Sequence, residues 1–329
     1  MQKKIFITKI KNNLSEAIFN GLEWIDYKNL IPKNSRIVIK PNFTYPAYKQ
    51  GVTVCPETIE KTVSILSSLT NDITIVESNG GRNAWQAEEA FEGHGLLPIQ
   101  KQYGIKLVNL TKCETKPMNF KAGKTDYCIP LPKLLLDETD VFINLCIPKI
   151  HCMTGITLSL KNLWGCVPDV NRLFHHHVFN YAICAINNAI KPKIIIGDAM
   201  YMLNRNGPMY GDPVKMNTII VSNDVGSFEL ACCDFMSTNL NKITHLKTAR
   251  KLGIVPENLN EVKLNITEIP KNKFYLKRTL RNWIVLTAFN SRIINWLFYG
   301  PSIGKILHDI LYFFNKPDHL KVKDTGEGA

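Results

Sequence analysis

Seven short apolar runs rich in Ile and Val recur along the chain, at 5–9, 36–40, 73–77, 106–110, 141–145, 193–197 and 218–222. Longer stretches with helical spacing separate them, at 14–24, 56–69, 85–92, 155–164, 179–190 and 226–238. Runs of about five residues are too short for ordinary helices, and their β-branched content suits a pleated, buried surface. Such alternation predicts an α/β fold, a doubly wound, mostly parallel sheet with helices on both faces. The pattern spans residues 1–265, read as one ligand-binding domain that is the seat of any catalysis. Residues 266–329 are read as a helical, basic, aromatic-rich C-terminal extension.

In open parallel sheets, ligands bind beyond the carboxyl ends of the strands, so the residues following each run are the ones to inspect. Here they are polar: Lys40-Pro41-Asn42, Glu77-Ser78 with Arg82 nearby, Asn144 and then Lys149 and His151, Gly197-Asp198, and Ser222-Asn223-Asp224. The stretch 141–168 holds Lys149, His151, Thr154, Gly155, Lys161 and Asn162 with no acidic side chain, until Asp169 just beyond it. It reads as an anion site, with Thr154-Gly155 opening a helix whose N-terminus favours a carboxylate or phosphate. Lys40, Lys149 and Lys161 are the candidate charge partners. His151 is the candidate general acid or base, the alternative being a loop imidazole bonded to backbone. Asp198 and Asp224 are candidates to orient His151 or contact ligand, or else caps of the following segment. Glu77, Ser78, Arg82, Asn42 and Asn144 complete the candidate ligand-binding set. Gly207-Pro208-Met209-Tyr210-Gly211 reads as a constrained loop, either a lid over the ligand or a plain turn.

Composition narrows the setting. The chain has 329 residues, 45% of them hydrophobic, and a net charge of +12, so it can bury a large core and favours anionic partners without choosing among them. The nine cysteines are scattered with no C-x-x-C pair, which points to reduced thiols, a cytoplasmic location and no iron–sulfur cluster within this chain. The N-terminus has no long apolar core of a signal peptide, and no apolar run reaches transmembrane length.

Taken together and in order, Lys40-Pro41-Asn42, Pro148-Lys149-Ile150-His151 with Thr154-Gly155, Leu160 to Gly165, the His175 to His177 cluster, Gly207-Pro208 with Gly211, and Ser222-Asn223-Asp224 resemble the domain of unknown function 362 family over residues 1–260. The resemblance implies an intracellular α/β protein, in some members joined to a ferredoxin-type module whose cysteines are not found here. A redox or iron–sulfur-associated role would then need a separate partner. More locally, the spacing of His151, Gly155, Lys161 and His177 is similar to nickel-pincer lactate racemases. That similarity implies that Lys161 holds a pyridinium-type cofactor, His177 ligates a transition metal and His151 acts as acid or base.

Residues 274–314 interleave aromatics, among them Trp283, Trp296 and Phe314, with basic residues. Packing on the body, lying on an anionic membrane surface at its inner face, and stacking on nucleic acid are the three arrangements such a segment permits, the last the least favoured. The expectation is therefore an enzyme binding a small anionic ligand, with acid–base chemistry of isomerase or racemase type. A non-catalytic basic protein using its extension on membrane or nucleic acid is the alternative.

Overall fold

Short β-branched runs cannot bury both faces alone, and this chain lays them side by side under two layers of helices. The computed structural model describes residues 1–278 together with Trp283, Leu286 and Ser291. Its strands are β1 (Lys4–Lys9), β2 (Ile37–Pro41), β3 (Ile73–Glu77), β4 (Lys106–Asn109), β5 (Thr115–Ala122), β6 (Thr125–Pro132), β7 (Val141–Cys146), β8 (Lys149–His151), β9 (Gly155–Thr157), β10 (Ile194–Asn204), β11 (Asp212–Ser222) and β12 (Lys263–Leu264). The sheet order is β12-β1-β11-β10-β7-β2-β3-β4, with β8 added beside β10 and β9 beside β8. From β10 to β4 every pairing is parallel, whereas β11 runs antiparallel to both β10 and β1. The fold is α/β, as the strand–helix alternation predicts. The antiparallel β10–β11 hairpin and the β5–β6 hairpin, the latter a separate sheet, depart from a uniform parallel pattern.

Side-chain alternation divides the core. Ile37, Ile39, Ile73, Ile75, Ile143 and Ile196 point to one face, under helices Leu14–Trp24, Pro56–Leu66 and Leu96–Tyr103. Val38, Val76, Phe142 and Ile195 point to the other, under Phe179–Ile190, Val225–Phe235 and Thr244–Lys251. A period of two in each strand thus feeds two separate hydrophobic clusters. Helix starts follow local chemistry: Asn13 accepts from the Glu16 amide, Pro56 takes the first helical position, and Asp224 accepts from the Ser227 amide.

The helix expected at 155–164 does not form as such. His151 and Gly155 instead face each other across a tight antiparallel pair, β8–β9, with Ile150 opposite Ile156 and Lys149 opposite Thr157. Gly155 has φ +82°, which closes the turn and is incompatible with a helix start. Only a four-residue helix, Ser159–Asn162, and a following 3-10 turn, Leu163–Cys166, remain of the expected element. The Thr154-Gly155 anion site at a helix N-terminus is therefore corrected to a hairpin turn.

The first residues of the expected C-terminal extension run along the body: Phe274 is buried, and its amide bonds to the Met236 carbonyl at 3.2 Å. Apart from Trp283, Leu286 and Ser291, the rest of the extension, including most of 274–314, lies outside the described residues. Among the described residues no helix is long and apolar enough to cross a membrane.

A Cβ at Gly155 would lie 2.4 Å from Ile243 Cδ1 on a backbone that L side chains rarely adopt. Gly155→Val is expected to lower stability by about 1–3 kcal/mol, read as a lower urea midpoint at unchanged slope.

Candidate functional site

The chain passes from β2 outward to β3 and β4 and then returns to the other side of β2 as β7, so the topology switches between β2 and β7. Beyond these strand ends lies a cavity of about 570 Å³. The end of β2 supplies Lys40, Asn42 and Tyr45, and the end of β3 supplies Glu77, Gly80 and Trp85. The segment after β7 supplies His151, Thr154, Lys161, Asn162, Trp164 and Arg172, and the β10–β11 loop adds Pro208, Met209 and Tyr210. This is where the doubly wound rule places a ligand.

Its floor is a chain of buried amides. Asn162 donates to Asn144 Oδ1 at 2.8 Å and to the Lys40 carbonyl at 3.1 Å, Asn42 donates to Asn162 Oδ1 at 2.8 Å, and Asn144 donates to the Ser159 carbonyl at 2.9 Å. Lys149 ends the chain, donating to Asn42 Oδ1 and Thr44 Oγ1, each at 2.8 Å, and to the Val52 carbonyl. With three acceptors around three N–H groups, Lys149 is committed to the scaffold and does not line the cavity. Burial, then Lys161 and Lys40, push its pKa well below the usual lysine range. Beside this floor Lys40 pairs with Glu77 at 2.7 Å, both side chains buried. Burial raises the Glu77 pKa, opposed by Lys40 and by the Ser78 amide.

Lys161 differs from the other two lysines. It is half-buried, its Nζ stands 5.9 Å from the centre of the Phe179 ring, and no carboxylate pairs with it among the described residues. Burial lowers its pKa to about 8. Arg172 also faces the cavity, held by donation to the carbonyls of Asn79 at 2.9 Å and Asp169 at 3.2 Å. His151 accepts at Nδ1 from the amides of Met153 at 3.2 Å and Thr154 at 3.3 Å, while burial and then Lys161 keep its pKa well below the ordinary value. The ring is thus neutral with its proton on Nε2, a hydrogen-bond donor in the cavity wall.

Of the sequence candidates, Lys40, Asn42, Glu77, His151, Thr154, Lys161 and Asn162 line this cavity. Asn144 and Ser78 lie behind it, Ser78 donating to the Gly165 carbonyl at 2.8 Å, and Arg82 and Gly155 are outside the lining. Asp198 does not approach His151: its buried carboxylate accepts from the Cys55 amide at 2.7 Å and the Met200 amide at 3.0 Å. Asp224 caps helix Val225–Phe235 and pairs with Lys3 at 3.4 Å. His177 Nδ1 lies 2.8 Å from the Phe174 carbonyl and its ring meets Tyr127, away from the lining. Among the described residues no three His, Cys, Asp or Glu side chains gather as a metal site would require, so nothing in this geometry supports a metal at His177. Of the 207–211 loop, Pro208, Met209 and Tyr210 line the cavity.

Trp164 and His176, within the Leu160–Gly165 and His175–His177 motifs, also line the cavity, and sequence reasoning missed Arg172 and Tyr45 in the lining and Glu229 behind it. An arginine three residues past Asp169, in an otherwise apolar and His-rich run, was the available signal for Arg172. For Glu229 the signal was an acid flanked by Phe228 and Leu230 inside a mostly apolar helix. Its Oε1 accepts from the Leu160 amide at 2.7 Å, and the Ser159 amide also favours its charged form, which ties it to the short helix that carries Lys161; Oε2 is buried with no well-formed hydrogen bond among the described residues.

Burial raises the Glu229 pKa from the ordinary 4.5 to about 8, so the folded chain holds this proton more tightly than the unfolded chain. The stability it contributes is complete below about pH 4.5 and is lost as pH rises towards 8. Glu229→Gln is expected to remove that loss, with the difference between variant and parent growing by up to about 1.4 kcal/mol per pH unit in this window, measured by urea unfolding at several pH values.

A thylakoid-associated protein of Synechocystis sp. is 25% identical over 249 residues, covering 69% of this chain and 71% of that protein. A crystal structure of a Thermotoga maritima protein superposes at a TM-score of 0.37 with 12% identity, covering 61% of this chain and 53% of that one, a likeness too slight to carry an argument. The model of a family described as a domain of unknown function (DUF362) matches residues 37–234, which take in the cavity-lining residues from Lys40 to Tyr210, and the chain belongs to that family.

Proposed function

We propose that this chain is an enzyme that binds a small anionic molecule, a carboxylate or a phosphate, beyond the ends of β2, β3 and β7 and acts on it by proton transfer. The observation that carries the reading is the charge balance of the cavity. Among the described lining residues Glu77 is the only carboxylate; it pairs with Lys40 and, with Asp169, acts at longer range on Arg172, while no carboxylate acts on Lys161. Two desolvated cations and a neutral imidazole donor make a site for negative charge, since a charge-assisted hydrogen bond in such surroundings contributes about 1.5–3 kcal/mol. Arg172 and His151 suit the oxygens of the anion. Lys161, with a pKa of about 8, divides between ammonium and amine near neutral pH and suits exchange of a proton with an adjacent carbon, as in an isomerase or racemase.

A second reading, peripheral association with an anionic membrane, draws on the net charge of +12 and on the thylakoid association named for the relative from Synechocystis. Co-sedimentation of the full chain with anionic vesicles that is lost on zwitterionic vesicles would support it, and equal behaviour on both would reject it.

For the cavity, phosphate or a short carboxylate is expected to raise the melting temperature of the wild-type protein. Lys161→Met is expected to weaken that binding by about 10- to 100-fold. Affinity falls as pH rises above about 8, because the ammonium loses its proton there. Isothermal titration across this range checks both, and binding untouched by the substitution would reject the site.

A further inference from the structure

The amine that faces this cavity has a second capability, and the inference rests on the anion-site reading above. Three lysines surround the floor, but two are committed. Lys149 spends its three N–H groups on Asn42, Thr44 and Val52, and Lys40 is bound to Glu77 and the Pro41 carbonyl. Lys161 lines the cavity as Lys149 does not, and unlike Lys40 it pairs with no carboxylate among the described residues; its Nζ lies 5.9 Å from the centre of the Phe179 ring. An aromatic face and partial burial without a counter-ion are the surroundings in which a lysine becomes a nucleophile. Arg172 and the Nε2–H of His151 share the same wall and are donors for oxygen.

From this juxtaposition we infer that Lys161 forms an imine with a carbonyl compound that also carries a carboxylate or phosphate group. Nζ of the neutral amine bonds to the carbonyl carbon, and the π pair of the C=O bond moves to oxygen. The C–O bond then breaks, and the two amine protons leave with that oxygen as water. One amine and one carbonyl give one imine and one water, with no change of oxidation state and no further reactant. Arg172 receives the anionic group, and His151 donates to the carbonyl oxygen while it carries the displaced pair. The imine then draws electrons from the neighbouring carbon and acidifies its hydrogen, which ties the covalent step to isomerase-type proton transfer. The lowered pKa of about 8 agrees, since it leaves about a tenth of the amine free at pH 7.

The test uses the full-length protein with pyruvate in one arm and pyridoxal phosphate in the other, each followed by borohydride reduction and peptide mapping. The expected result is a reduced adduct on Lys161 ahead of exposed lysines such as Lys28. The initial labelling rate should rise about tenfold between pH 7 and pH 9 at Lys161, against about a hundredfold at exposed lysines. Label in the pyruvate arm assigns a 2-oxo acid, and label in the pyridoxal phosphate arm alone assigns a phosphorylated aldehyde. Lys161→Arg should abolish that adduct, although the wild-type map decides the matter without it. If either probe raises the melting temperature but leaves Lys161 unlabelled, the imine is overturned and the anion site stands. Label spread evenly over exposed lysines also overturns the imine. If neither probe stabilises or labels the protein, both readings fall.

Discussion

The site depends on the relay of side-chain amides from Asn144 through Asn162 to Asn42, closed by Lys149. Each member lies on a different piece of chain: a central strand, the short helix Ser159–Asn162, the loop after β2, and the β8–β9 hairpin. The members are almost fully buried, so an unmade bond would leave a desolvated polar atom at a cost of about 1–3 kcal/mol. The network has one well-satisfied arrangement, and that arrangement fixes the end of β2 relative to the helix that carries Lys161. Rigidity here is what allows a cavity with uncompensated charge to exist at all.

The partition among the lysines follows from the same economy of partners. Lys149 is surrounded by neutral acceptors, Lys40 by a carboxylate, and Lys161 by a ring and open space. One residue type therefore serves as strut, ion-pair partner and cavity-lining amine without a carboxylate partner within a single cavity and its floor. The three positions look equivalent along the chain, and only their acceptors separate them.

Much of the fold was legible because burial on two faces leaves a plain signature. All seven predicted apolar runs became strands, with ends shifted by a few residues except where β10 and β11 extend well past the predicted runs as a hairpin, with β8 pairing the far part of β10. The polar strand ends pointed to the cavity, and Lys40, Asn42, Glu77, His151 and Lys161 all face it. What failed was local. The 155–164 segment has helical spacing, yet Gly155 at positive φ turns the chain back into a hairpin, and a glycine does not announce the sign of its φ. The β5–β6 hairpin, half exposed with little apolar alternation, gave no strand signal. Asp198 and Asp224 were drawn to the site by following apolar runs, but Asp198 divides its oxygens between the Cys55 amide ahead of helix Pro56–Leu66 and the Met200 amide of its own strand, and Asp224 caps helix Val225–Phe235. Arg172 and Glu229 escaped because their importance is set by tertiary partners, not by neighbours in the chain.

Glu229 lies one helix away from the cavity, touches none of its lining side chains through a hydrogen bond, and still determines where Lys161 stands by gripping the Leu160 amide. Lys149 likewise sits behind the wall while its charge helps keep His151 neutral. Variation among relatives at such concealed positions would retune the chemistry while every contact residue stayed the same, so two family members with identical cavity walls need not share a reaction rate or a pH range.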